Sequence, residues 1–214
     1  MFLRGRIAFT DLETTGLEKF KLLNPIVGDL VPWSEICEIG LVVADYKTLK
    51  IITTWNAKVK INYPHRIEPK AAMVNGYNEN DWRHARELRD ALKAYNGLTA
   101  GATFAAHNAM LDWGFLEIAF AREELTLELG GPIIDTLETA RSITESKGYE
   151  LDSFSLKNLA AFLRLEPEPL PHRALNGAML AYRIFKALRE LKPKQSHDPD
   201  SSPPDNSAAG CHSC

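Results

Sequence analysis

Phe9-Thr10-Asp11-Leu12-Glu13-Thr14-Thr15-Gly16-Leu17 decides the fold of this chain. With Ile7 and Ala8 before it, residues 5–11 read as a small, apolar strand that ends in an acid. Asp11 and Glu13 are two apart, and alternate strand residues point to one face. Both carboxylates can therefore meet one cation. Acids also cap strand ends and sit in turns, so the pair needs partners elsewhere in the chain.

Two later segments supply them. His107-Asn108-Ala109-Met110-Leu111-Asp112 opens a helix expected over residues 109–123. Asn108 and Asp112 are four apart and share a helix face, although Asn108 is also in the position of a simple cap. Asp112 lies in an apolar run with Met110, Leu111, Trp113, Phe115 and Leu116, where an acid needs a partner or a metal. Trp113 and Phe115 fit the core better than a stacking role. The third segment is His172-Arg173-Ala174-Leu175-Asn176-Gly177-Ala178, after Pro167, Pro169 and Pro171 and at the start of a long amphipathic helix. A loop imidazole beside acids suits a general base, because it titrates near neutrality.

In this order the three segments resemble the motifs of the DEDDh, or DnaQ-like, 3′–5′ exonucleases. That group includes proofreading subunits of bacterial polymerases, RNase T and oligoribonuclease. The resemblance spans residues 5–191 and extends to Ile36-Cys37-Glu38-Ile39-Gly40, Val74-Asn75-Gly76-Tyr77, Asp135-Thr136 and Ser155-Leu156-Lys157-Asn158-Leu159. It implies an α/β, ribonuclease H-like fold with a mixed five-stranded sheet flanked by helices. It also implies a two-ion site for Mg²⁺ or Mn²⁺ that clamps a scissile phosphate. By position, Asp11 would bridge both ions, Glu13 would hold the water-activating ion, Asp112 would complete the site, and His172 would take the proton from water. Thr14, Thr15, Leu17, Asn108 and Phe115 match substrate-binding positions.

The pattern's last acid falls on Gly177, which supplies no ligand. Asn176 is adjacent but points about 100° away on a helix of ~3.6 residues per turn. Three alternatives stay open. The chain is a natural pseudo-exonuclease; or it works at reduced rate with water or a nearby acid in the vacant place; or Gly177 is an engineered or accidental change.

The remaining sequence fits one domain over residues 1–192 and a disordered tail over 193–214. The tail's polar, proline-containing composition gives no apolar period to bury. Its Cys211-His212-Ser213-Cys214 end has CxxC spacing, but a lone CxxC does not complete a four-ligand zinc site. Expected strands are 35–45, 50–60, 103–106 and 132–135, the first two in an antiparallel meander with residues 5–11. Residues 18–34 read as a loop. Expected helices are 69–74, 80–95 (ending at Asn96-Gly97), 136–144, 155–163 and 173–191.

The 214 residues carry a net charge of −3, which argues against a duplex-coating protein but not against an acidic, metal-using site. Three cysteines, with Cys37 in an apolar strand, point to a reducing compartment. With no signal peptide or membrane span, the expected location is cytoplasmic. The expected partner is a single-stranded DNA or RNA 3′ end, with a DNA polymerase or a second copy left open. The reading leans to an exonuclease impaired at Gly177. The alternative is a catalytically silent module that binds 3′ ends or a polymerase.

Overall fold

The computed structural model describes residues 5–18, 20–24 and 29–194; the expected tail from 195 onward lies outside the described residues. Strand β1 (Arg6–Thr14) is the centre of a five-stranded mixed sheet. Two short strands, β2 (Phe20–Asn24) and β3 (Asp29–Pro32), pair with each other separately. Beside β1 lies β4 (Ile36–Asp45), and beyond it β5 (Ile51–Lys58), both antiparallel to their neighbours. On the other side β6 (Thr103–Ala106) and β7 (Gly130–Asp135) run parallel to β1. The order β5-β4-β1-β6-β7 is the mixed α/β sheet expected, including its antiparallel meander.

The helices are α1 (Pro69–Asn75), α2 (Glu79–Trp82), α3 (Leu88–Thr99), α4 (Ala109–Arg122), α5 (Thr136–Ser146), α6 (Leu156–Phe162) and α7 (Ala174–Arg189). Side-chain alternation along β1 divides them into layers. Ile7 and Phe9 pack with Ala178, Ala181, Tyr182 and Phe185 of α7. Ala8 faces the opposite layer, with Leu92 and Tyr95 of α3 and Leu116 and Phe120 of α4. Phe9 meets Tyr182 and Phe185 edge-on at 5.5 and 5.4 Å, which fixes the angle of α7 as well as burying area. By the same period, Asp11 and Glu13 continue the face that α7 covers.

Gly40 makes that approach close enough to matter. It is the cross-strand partner of Asp11, and a Cβ there would collide with the carbonyl of Ala174 and the amide of Leu175. The first turn of α7 therefore lies directly on the sheet beside Asp11.

Three expectations fail. The 18–34 connection contains the β2–β3 pair rather than loop alone. Pro25 and Gly28, between the two strands in the sequence, lie outside the described residues. The helix expected over 80–95 is two helices. Between them Arg86 donates its N–H to Lys58 and accepts from Lys60, so backbone pairing with the sheet edge replaces helical bonding. Helix α3 then runs past Asn96-Gly97 to Thr99. The Asn96 amide instead staples a neighbouring segment, donating to Thr126 O at 2.6 Å and accepting from Glu128 N at 3.2 Å.

Replacing Gly40 with Ala should destabilise the fold by at least about 1–3 kcal/mol, because backbone rather than a flexible side chain blocks the new methyl. Urea unfolding of Gly40→Ala beside Gly97→Ala measures this. Gly97 has nothing within 4 Å of a new Cβ and sits in a helix, so its change should be neutral or stabilising.

Candidate active site

The site begins where β6 stops. Strand β6 pairs with β1 only from Ile7 to Phe9, while β1 continues to Thr14. That leaves the Leu12 N–H, which donates to Asp112 Oδ1 at 3.0 Å. Asp112 is 6% exposed and lies in the first turn of α4. It thus reaches the end of β1 from the layer opposite α7. The carboxylate of Asp135 fixes the start of α4, accepting from Asn108 N at 3.1 Å and Ala109 N at 3.0 Å. It also caps α5 through Leu137 N at 2.9 Å. Asn108 is left-handed at φ 62°, and its side chain makes no capping bond.

On the α7 side, Gly177 is buried. A Cβ there would lie 2.5 Å from Asp11 Oδ2 and 2.9 Å from Oδ1. The Asp11 carboxylate therefore rests against bare helix where a side chain would begin. His172 approaches from the loop before α7, its N–H bonded to Val74 O at 2.9 Å. Arg173 anchors the same loop, donating to Asn75 O at 2.9 Å. Buried Asn75 in turn donates to Thr14 O at 3.1 Å, which ties this loop to the end of β1.

Glu168 was not anticipated from sequence. Its side chain is 9% exposed, and its Oε2 lies 2.9 Å from His172 Nδ1. Its Oε1 accepts from the Arg173 N–H at 3.2 Å. In Glu166-Pro167-Glu168-Pro169, period and motif give no sign of which acid turns inward.

Two adjoining cavities share Leu12 and Glu13. The larger, about 590 Å³, is lined by Asp11, Glu13, Glu168 and His172, with Lys157 at its wall. The smaller, about 240 Å³, is mostly apolar and lined by Thr14, Leu17, Val74, Leu111 and Phe115. Asp112 lines the smaller one too. Thr15 lines neither; it is buried, and its hydroxyl accepts from Glu35 N at 2.8 Å. Asn108 is exposed and also lies outside both.

Gathering acids here is electrostatically costly. Burial holds Asp11 well above the usual carboxylate range, and the charges of Asp112, Glu13, Glu168 and Glu38 add to it. Burial likewise pushes Glu13 up to about 8, reinforced by Glu168, Glu38 and Asp112 and opposed by Arg173. Glu38, opposite Glu13 in the sheet, is raised by burial, but Arg173 stands 3.6 Å from it and partly answers its charge. Donor atoms of Glu13, Glu168 and His172 lie within 4.8 Å of one another. An oxygen-rich pocket whose carboxylates resist ionising without a counter-charge fits a hard divalent cation such as Mg²⁺ or Mn²⁺.

Known proteins bear on this arrangement. Residues 8–185 match the family model described as RNase_T, Exonuclease. A PolC-type DNA polymerase III of Thermotoga petrophila is 26% identical over 186 residues, covering 86% of this chain and 12% of that protein. The Latilactobacillus sakei PolC-type enzyme is 35% identical over 108 residues, covering 50% of this chain and 7% of that protein. This chain thus spans only a small fraction of these relatives. Among solved structures, an exonuclease I aligns over 88% of this chain and 42% of its own, with TM-score 0.72 and 15% identity. A 3′-exonuclease, whose structure concerns 3′-end recognition of a histone mRNA stem-loop, aligns over 86% of this chain and 64% of its own, with TM-score 0.64 and 18% identity. These likenesses show the ribonuclease H-like fold.

The raised carboxylates carry a sign. A group protonated more readily in the folded state stabilises the fold at low pH, and that stability is lost as pH rises through its folded pKa. For Glu13 the window runs from 4.5 to about 8. In ion-free buffer the thermal midpoint should fall across this window, and Glu13→Gln should flatten the fall. Mn²⁺ should restore most of the loss at the alkaline end. Scanning calorimetry at stepped pH measures all three.

Proposed function

The chain belongs to the RNase_T exonuclease family, and from that premise we propose that it hydrolyses phosphodiester bonds at the 3′ end of single-stranded DNA or RNA, at a rate reduced by Gly177. The observation that carries this reading is the convergence on one cavity system of Asp11 and Glu13 from β1, Asp112 from α4, and His172 from the loop before α7.

In this reading Asp11, Glu13 and Asp112 hold two divalent ions, Mg²⁺ or Mn²⁺. When bound, the ions neutralise charge at the scissile phosphate and acidify water. His172 accepts the proton of the attacking water. Its Nδ1 is turned to Glu168, so Nε2 is the atom left for that task. The apolar cavity beside Glu13 takes the terminal nucleoside, with Phe115 and Leu17 as its apolar walls and Thr14 at its edge. Thr15, buried and bonded to the Glu35 N–H, lines neither cavity, so its support as a substrate contact is its place beside Thr14 alone. Asn108 is exposed and outside both cavities, so its support as a substrate contact is its motif position alone. The product is a nucleoside 5′-monophosphate.

Gly177 favours a second reading, in which the chain is a silent module that holds 3′ ends or docks on a polymerase. The match to PolC-type enzymes supports a polymerase as partner. A single exonuclease domain over 1–192, a tail over 193–214, and a cytoplasmic location complete the proposal. Among the described residues no helix is long and apolar enough to cross a membrane.

Digestion of a 5′-labelled oligonucleotide, as DNA and as RNA, tests the proposal. With Mg²⁺ or Mn²⁺ the chain should yield a slow ladder shortening from the 3′ end, and Asp11→Ala should abolish it. Gly177→Asp should raise the rate by at least about tenfold, as expected for restoring an ion ligand. A ladder that persists in Asp11→Ala, or none in Gly177→Asp, rejects the enzyme reading.

A further inference from the structure

Gly177 removes an acid from α7, and the structure brings in another from a different segment. We propose that Glu168 stands in for the carboxylate missing at Gly177, completing a divalent-cation site with Glu13 and Asp11. This rests on the exonuclease reading and goes beyond it by naming the ligand that keeps the site able to bind an ion.

Placement is the first argument. Glu168 lines the same cavity as Asp11 and Glu13, and its carboxylate lies with donor atoms of Glu13 and His172 inside a 4.8 Å cluster. A carboxylate that close to Glu13 is unfavourable unless a cation or a proton offsets the repulsion.

Elimination is the second. Glu38 also neighbours Glu13, but it does not line the cavity, and Arg173 already faces it. Glu35 is engaged by Asn62 and the Tyr63 N–H. Asp112 belongs to the ordinary ligand set. Among the described residues Glu168 is the acid of the larger cavity's wall that the family pattern does not use; Glu68 lines the smaller cavity instead.

Rigidity is the third. The loop carrying Glu168 is pinned at His172 N to Val74 O and at Arg173 to Asn75 O. Glu168 Oε1 caps the approach to α7 through Arg173 N. The carboxylate is held in place before any ion arrives, which lowers the ordering cost of binding. Its Oε2 contacts His172 Nδ1, and a carboxylate oxygen has lone pairs enough to serve imidazole and cation together. Asp11, whose Oδ2 lies 2.5 Å from where a Cβ of Gly177 would begin, lines the same cavity.

A double-mutant cycle read by Mn²⁺ binding, followed by calorimetric titration and by the spin-resonance signal of free Mn²⁺, tests this. The four proteins are the chain as given, Glu168→Gln, Gly177→Asp and the double variant, with Asp11→Ala as reference. Ion-free unfolding of each checks the fold. Glu168→Gln should weaken Mn²⁺ binding by at least about tenfold in the parent. In the Gly177→Asp background the same change should cost less than about threefold, because the restored acid makes Glu168 redundant. Unchanged Mn²⁺ binding in Glu168→Gln overturns the proposal, as does an equal loss in both backgrounds. The parent and Glu168→Gln decide it by themselves if Gly177→Asp does not fold. If Asp11→Ala abolishes Mn²⁺ binding while Glu168→Gln leaves it intact, the stand-in fails and the exonuclease site survives. If the parent and Gly177→Asp both bind no Mn²⁺, the two readings fail together.

Discussion

The withdrawal of several carboxylates from water at the end of β1, reinforced by their mutual repulsion, is the constraint that the rest of the site answers. The charges of Asp112, Glu13, Glu168 and Glu38 bear on Asp11 there, those of Glu168, Glu38 and Asp112 on Glu13, and burial removes the water that would screen them. The fold spends several devices on holding them. Gly40 lets α7 lie on the sheet beside Asp11. The early end of β6 frees the Leu12 N–H for Asp112. Asp135 fixes the start of α4, and Arg173 answers Glu38.

Much of the fold was legible because it rests on short-range periodicity. The period of two through Ile7, Phe9, Asp11 and Glu13 states both the face that α7 covers and the face that carries the acids. The apolar run around Asp112 marks an acid with a buried task. What failed to read depends on tertiary pairing. Arg86 breaks the expected helix because its backbone pairs with residues far away in the chain. Asn96 looks like a helix stop but spends its amide on Thr126 and Glu128. The β2–β3 pair was hidden because Pro25, Gly28 and Pro32 read as loop residues in the sequence.

The site shows the same division. Motif spacing named residues that the structure gathers at the candidate site where their positions follow from an element, as those of Asp11 and Glu13 follow from β1 and that of Asp112 from α4. It did not separate Thr14, at the apolar cavity, from Thr15, which bonds the Glu35 amide instead. Nor did it find Glu168, whose inward turn is set by contacts of a proline-rich loop with Asn75 and Val74. The consequence for function is that a motif with one letter missing is not yet a site with one ligand missing. Geometry decides whether another segment supplies the group.

The most direct measurement is an anomalous difference map from crystals of the unaltered chain grown with Mn²⁺ and a nucleoside 5′-monophosphate. The account predicts a manganese peak ligated by Asp11, Glu13 and Glu168, with the nucleoside in the apolar cavity against Phe115. A map without manganese at these carboxylates, at concentrations that saturate Gly177→Asp, would contradict it.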